Sequence, residues 1–424
     1  MLLVLKFVLV IGDGMSDEVR PGTPLSLANH PYMDFLASNG LCGLVQTIPE
    51  GVDPGSEAAI LAILGYDPRR LQVARGPLEA AGIGVRLTRK DLALRCNLVT
   101  VEKGILTDYS SDQISTEEAS QLIKALSDSG VLGKLKIHVG VSFRHVAVLH
   151  GEEYSEALET YPPHDHIGEP IGRLKVKPLR AEAVRTARLL NKIIESSHKI
   201  LSEHPVNLER VKRGLKPGNM VWLWAPGRKP RIKAFTGRFG LDAAIISAVN
   251  IGKGTGALLG MKVLNVRGAT GYLDTNYEGK AEAALKALET HDMVIVHVEA
   301  PDEAGHAGKL ELKVKAIEDL DKRLLGKLLE GLENEKEEFV LGVLADHATP
   351  INARVHTSDP VPFAVYTFPV RPGRLKPAER FNEVSASRTS LFLEAPKFMS
   401  VFLGLSQISG GSKQQGRELP EHRK

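Results

Sequence analysis

Cysteine is nearly absent: of 424 residues only Cys42 and Cys96 carry a thiol. Two cysteines cannot build a disulfide framework, and their separation is not that of a zinc site. A reducing, cytoplasmic setting is the corresponding expectation. Aromatic residues are also scarce, at 5% with only 2 tryptophans. Net charge is small, with 54 Lys plus Arg against 51 Asp plus Glu for a formal +3. No basic stripe with interleaved aromatics exists, which excludes a dedicated nucleic-acid binder. Long uncharged apolar runs are missing too. The longest, Met1 to Ile11, is broken by Lys6, lacks a basic leader and runs into Gly12-Asp13-Gly14 instead of a small-residue cleavage site. It reads as a buried strand and not as a signal peptide or membrane span.

What remains is an ordinary globular composition, 43% hydrophobic and 25% charged, with 14 histidines, several of them beside carboxylates. The length allows two or three structural units, each with its own core. Buried-strand runs recur at Asp292 to Val298, Glu338 to Leu344 and Val361 to Tyr366, separated by helical stretches at Glu278 to Glu289 and Lys309 to Glu333. This alternation predicts an α/β fold with a doubly wound, mostly parallel sheet. Residues 75–214 read differently: strand-like runs at Leu92 to Val101 and Lys136 to Leu149, and helices at Thr116 to Leu126 and Ala181 to Leu201, suit an inserted α+β domain. Residues 1–74 and 215–408 then form a discontinuous larger domain, and the polar, Gly-rich stretch 409–424 a disordered tail.

Ligands of doubly wound sheets bind beyond the carboxyl ends of the strands. Asp13, Asp302 and Asp346 all fall there and would converge on one edge. Asp302 and His306 are four apart, on one face of a helical turn, and His347 follows Asp346 directly. Singly, each is ordinary: a surface pair, an incidental dipeptide, an acidic turn residue, a hydrogen-bonded His356. At one sheet edge together they form a candidate metal constellation. Carboxylate oxygen with imidazole nitrogen suits Mn²⁺ or Zn²⁺ better than Ca²⁺, and the number of groups suggests two ions. Paired ions about 3.5–4 Å apart are a common device of phosphoryl transfer. A nucleophile is available in Pro54-Gly55-Ser56, where the apolar run to Leu64 begins a helix. Ser56 is either the N-cap of that helix or a nucleophile placed where backbone amides favour a phosphate.

An ordered set of motifs spans residues 6 to 405: Val10-Ile11-Gly12-Asp13-Gly14-Met15, Pro54-Gly55-Ser56, Leu64-Gly65-Tyr66-Asp67-Pro68, Arg75-Gly76-Pro77, Arg95-Cys96-Asn97, Phe143-Arg144-His145, Asp302-Glu303-Ala304-Gly305-His306 and Ala345-Asp346-His347-Ala348-Thr349-Pro350. By these the chain resembles the archaeal-type cofactor-independent phosphoglycerate mutases of the alkaline phosphatase superfamily. The resemblance implies an alkaline-phosphatase-like domain with a substrate-binding insertion. It implies one ion held by Asp13, Ser56, Asp346 and His347 and another by Asp302, His306 and His356. Mn²⁺ is the first choice, with Zn²⁺, Co²⁺ and Mg²⁺ as alternatives, and no 2,3-bisphosphoglycerate is required. The implied reaction interconverts 3-phosphoglycerate and 2-phosphoglycerate through a phosphoserine at Ser56. Lys253 is the candidate cation at the phosphoryl oxygens, or else a solvated loop lysine. Arg95, Arg144 and His164 are the candidates for the substrate's carboxylate and hydroxyl, with structural ion pairing as the other reading of the arginines. The insertion would close over the site on hinges near 74 and 215.

Departures from the family pattern lie at Thr160 to Pro163, where two acidic residues are usual, at Tyr109 to Asp112, and at Ala307. A metal-dependent phosphomonoesterase on the same fold is the alternative activity. The expected partner is a small phosphorylated acid, with no nucleic acid or membrane, and a homo-oligomer is left open.

Overall fold

The structure, a computed structural model, describes residues 5–71, 73–335, 338–369 and 376–404. The tail expected at 409–424 lies outside the described residues. Among the described residues no helix is long and apolar enough to cross a membrane.

Two strands open the chain, β1 (Lys6–Gly12) and β2 (Leu41–Gln46). Seven follow in the middle: β3 (Leu92–Glu102), β4 (Ile105–Asp108), β5 (Leu135–His138), β6 (Arg144–Leu149), β7 (Leu158–Glu159), β8 (Lys177–Pro178) and β9 (Met220–Arg228). Six close it: β10 (Ala243–Ile246), β11 (Lys262–Leu264), β12 (Met293–Val298), β13 (Phe339–Ala345), β14 (Val361–Phe368) and β15 (Phe392–Glu394).

The larger sheet has eight strands in the order β11-β10-β12-β1-β13-β14-β2-β15. Its first five are mutually parallel, as are β2 and β15, and β14 runs antiparallel to both β13 and β2. The continuous apolar runs of β1, β12 and β13 are buried along their whole length, as a parallel sheet covered on both faces demands. In register Gly12 lies opposite both Val298 and Ala345, so these three strands end level. That alignment brings the residues that follow each strand to one edge.

The smaller sheet is antiparallel, with β3 central between β6 and β9. Two differences from the sequence reading stand out. The run 136–149 is a hairpin and not one strand: at Gly140 a Cβ would lie 2.2 Å from the Arg144 carbonyl oxygen, a reversal only glycine permits. The smaller sheet also reaches past 214/215, since β9 pairs with β3 along Leu92 to Val99. An apolar strand such as Met220 to Trp224 fits either sheet locally; the long-range pairing decides.

Helix Arg75–Gly82 sits where the two parts meet. On one side a Cβ at Gly76 would come within 2.5 Å of the Ala93 carbonyl oxygen and 2.6 Å of that of Ala225. On the other, helix Asn250–Leu258 approaches so closely that a Cβ at Gly254 would fall 2.1 Å from the Leu78 carbonyl oxygen. Glycines on two elements, Gly76 and Gly254, thus let one short helix touch both parts backbone to backbone.

Candidate active site at the strand ends

Asp13 follows β1, Asp346 and His347 follow β13, and Asp302 lies in the first turn of helix Ala300–His306 after β12. Ser56 is the first residue of helix Ser56–Ile63, whose N-cap is Gly55, so the capping role open to Ser56 in the sequence is not the one it plays. Its Oγ instead lies 3.3 Å from Asp13 Oδ1, to which it donates, and 3.2 Å from His347 Nε2.

Two sets of donors meet here. In the first, Asp13, Asp346 and His347 present ligand atoms within 4.8 Å of one another, all buried. His347 Nε2 is 3.3 Å from Asp13 Oδ1 and 3.5 Å from Asp346 Oδ2. Asp346 Oδ1 accepts from the amides of Gly14 (3.0 Å) and His347 (2.9 Å), whereas Oδ2 is buried without a hydrogen-bond partner. In the second, Asp302 Oδ2 is 3.2 Å from His306 Nε2, Asp302 Oδ1 is 3.5 Å from His356 Nε2, and the two Nε2 atoms stand 2.9 Å apart. His306 Nδ1 donates to the Arg354 carbonyl at 2.9 Å, which turns Nε2 and its lone pair toward the cluster.

The electrostatics agree. Burial and the neighbouring Asp346 push the Asp13 carboxyl well above its usual range. Burial acts the same way on Asp346, but His347 and His297 outweigh it and hold that carboxyl down at about 2. Asp302 lies far below the usual range, since the imidazoles of His306, His356 and His347 around it overcome its burial. A buried carboxylate oxygen without a hydrogen-bond donor and imidazole nitrogens crowded at contact distance are arrangements that a bound cation satisfies. The donor set therefore fits divalent ions of the Mn²⁺ or Zn²⁺ type.

Sequence reasoning missed a layer beneath this edge. His297, the penultimate residue of β12, places Nε2 3.4 Å from Asp13 Oδ2, and its Nδ1 is 3.3 Å from Glu299 Oε1. Glu299 also takes Lys280 Nζ at 3.0 Å, Ser247 Oγ at 2.8 Å and the Ala248 amide at 2.7 Å. Lys280, His297 and Glu299 are all buried. The available signal was a histidine inside an otherwise apolar strand followed at once by a glutamate. Glu299 ties the ligand layer to the turn entering helix Asn250–Leu258, which carries Lys253. Lys253 is partly buried, and that burial lowers its ammonium pKa.

Of the candidates at 75–214, Arg95 on β3 and Arg144 at the start of β6 share one face of the smaller sheet, and His164 lies in the turn Pro163–Asp165. Arg95 is buried, with its guanidinium carbon 4.4 Å from the Trp224 ring centroid and Nε 3.6 Å from Glu79 Oε1. His164 stands edge-on between Tyr109 and Trp224. Arg144 is exposed, over the Phe143 ring. Burial, chiefly, and Asp302 raise the Glu303 carboxyl, against which His306 and Arg144 act. The unusual stretch at 160–163 is a fastening: Thr160 Oγ1 accepts from the Ala225 amide (3.1 Å) and the Tyr161 carbonyl from Trp222 Nε1 (2.8 Å).

A mostly parallel α/β sheet with a serine, three carboxylates and three imidazoles gathered at its strand ends defines an enzyme of the metal-assisted type. Residues 37–207 match the 2,3-bisphosphoglycerate-independent phosphoglycerate mutase family. Proteins of that name from Methanosarcina mazei and Methanothrix thermoacetophila are each 45% identical, over 366 residues (85% of this chain, 90% of the relative) and 387 residues (90% and 95%). The chain belongs to this family. Among solved structures, a Pyrococcus horikoshii protein superposes with a TM-score of 0.79 at 29% identity, covering 97% of this chain and 100% of that one. The cofactor-independent phosphoglycerate mutase of Thermoplasma acidophilum follows at TM-score 0.66 and 30% identity, covering 95% and 99%.

Proposed function

We propose that this chain interconverts 3-phosphoglycerate and 2-phosphoglycerate by intramolecular phosphoryl transfer through Ser56, in a cytoplasmic setting. The observation that carries the reading is the placement of Ser56 Oγ between Asp13 and His347 at a helix start, released from capping. Asp13, Ser56, Asp346 and His347 would hold one divalent ion, and Asp302, His306 and His356 the other. Bound there, the ions supply charge neutralisation for the phosphoryl group and favour the serine alkoxide.

The rest falls to the chain's own groups. Ser56 takes the phosphoryl group from one glycerate oxygen: its O–P bond forms as the substrate's breaks, and the proton that Ser56 gives up ends on the leaving oxygen. The glycerate turns, its other hydroxyl attacks the phosphoserine, and Ser56 is restored. Lys253 offers an ammonium to the phosphoryl oxygens. Arg95, pre-oriented by Glu79 and Trp224, and Arg144 offer planar donors to the carboxylate, with His164 alongside. Keeping the reorienting glycerate from escaping or meeting water falls to the insertion.

The test is 3-phosphoglycerate turnover coupled to enolase, with Mn²⁺ and without 2,3-bisphosphoglycerate. Formation of 2-phosphoglycerate that stops on chelation and returns with Mn²⁺ is the expected result. Release of inorganic phosphate alone would replace the mutase by a phosphomonoesterase.

A further inference from the structure

One buried hydroxyl touches both donor sets. Thr349 Oγ1 lies 2.6 Å from Asp302 Oδ1 and 3.3 Å from His347 Nδ1. A hydroxyl has one hydrogen, and an ionised carboxylate only accepts, so the hydrogen goes to Asp302. The contact with His347 then runs the other way, with Nδ1–H donating to the Thr349 oxygen. That tautomer leaves the His347 Nε2 lone pair facing Ser56, Asp13 and Asp346.

The surroundings are built around this side chain. A Cβ at Gly14 would lie 2.5 Å from Thr349 Oγ1 and 2.3 Å from Asp302 Oδ1. A Cβ at Gly305 would lie 2.9 Å from Thr349 Cγ2. Two glycines on two elements therefore vacate the space that one threonine fills. The backbone is pinned as well: the Thr349 amide donates to the Ser16 carbonyl at 3.2 Å. Buried Lys313 Nζ donates to the carbonyls of Thr349 at 2.7 Å and Ser16 at 3.0 Å, joining the loop after β13 to the loop after β1.

We propose that Thr349 is a positioning residue that couples the two ion sites, orienting Asp302 of one and His347 of the other through a single hydroxyl. The inference rests on the two-ion reading above. Outer partners of this kind typically carry about 10–100-fold in metal affinity.

The experiment is calorimetric titration of the metal-free full chain with Mn²⁺, for the wild type, Thr349→Val and Thr349→Ser. Valine keeps the methyl and loses the hydroxyl; serine does the reverse. Wild type and Thr349→Ser should bind two equivalents alike, and Thr349→Val should bind them about 10–100-fold more weakly. Thr349→Ala takes the valine variant's place if that variant does not fold. Unchanged binding by the variant lacking the hydroxyl overturns the proposal, as does an equal loss in Thr349→Ser. A wild type that binds fewer than two ions overturns the two-ion reading itself, a distinct result.

Discussion

The two sheets treat buried polarity in opposite ways. In the smaller one, buried polar groups are matched within the fold. Arg210 reaches Glu118 and the carbonyls of Ser111 and Lys216, Asn207 takes three backbone partners, and Asn219 spans both backbone groups of Val101. At the strand ends of the larger sheet Asp346 Oδ2 and His297 Nε2 are buried with no hydrogen-bond partner. A buried polar group left unmet costs about 1–3 kcal/mol, more when charged. Such a cost is tolerated where something bound completes the set, which agrees with the two-ion site proposed at the larger sheet's strand ends.

The sharpest way to break this division is Ser56→Ala. It should lower mutase turnover roughly 10⁴-fold or more in the enolase-coupled assay, with thermal unfolding unchanged. Retained turnover would remove the phosphoserine. A smaller effect separates the two parts: Arg95→Met should raise KM for phosphoglycerate about 10–100-fold, the worth of one charged hydrogen bond, and leave the Mn²⁺ isotherm untouched. A shifted isotherm would mean that the parts do not act separately. The smallest effect concerns the exception within the smaller sheet. His145 Nε2 is buried without a partner, and burial pushes the imidazole pKa down to about 4. Below about 6.5 the unfolded chain takes a proton that the folded one refuses, so stability falls with pH until the folded group titrates near 4. The fall should be about 1 kcal/mol per pH unit, read from urea midpoints at pH 6.5 and pH 5. His145→Gln should flatten that slope; an identical slope would reject it.

Legibility followed the range of the interactions. Continuous apolar runs announce parallel strands, and acidic residues at their ends announce the edge where Asp13, Asp302 and Asp346 meet, because each signal is local. Ser56 was readable as a helix start, but its release from capping depends on Gly55 holding that position. The pairing of β9 with β3 spans more than a hundred residues and leaves no trace in the local pattern of either. Lys280 and Glu299, whose ammonium and carboxylate meet from a helix and a strand end, look like surface charges in sequence. Thr349 looks like any threonine before a proline. Such residues become visible only when the elements they join are placed together.

The helix Arg75–Gly82, held backbone to backbone between Gly76 with its β3 and β9 neighbours and Gly254 of the larger part, sets what can be exchanged between relatives. A graft cut at the ends of the insertion would carry the helix but leave behind the surface shaped to receive it. Any methyl group brought in at the Gly254 position would meet the Leu78 carbonyl. The unit that recombines intact is the insertion together with its glycine-lined seat on helix Asn250–Leu258, a module that is discontinuous in the chain and continuous in space.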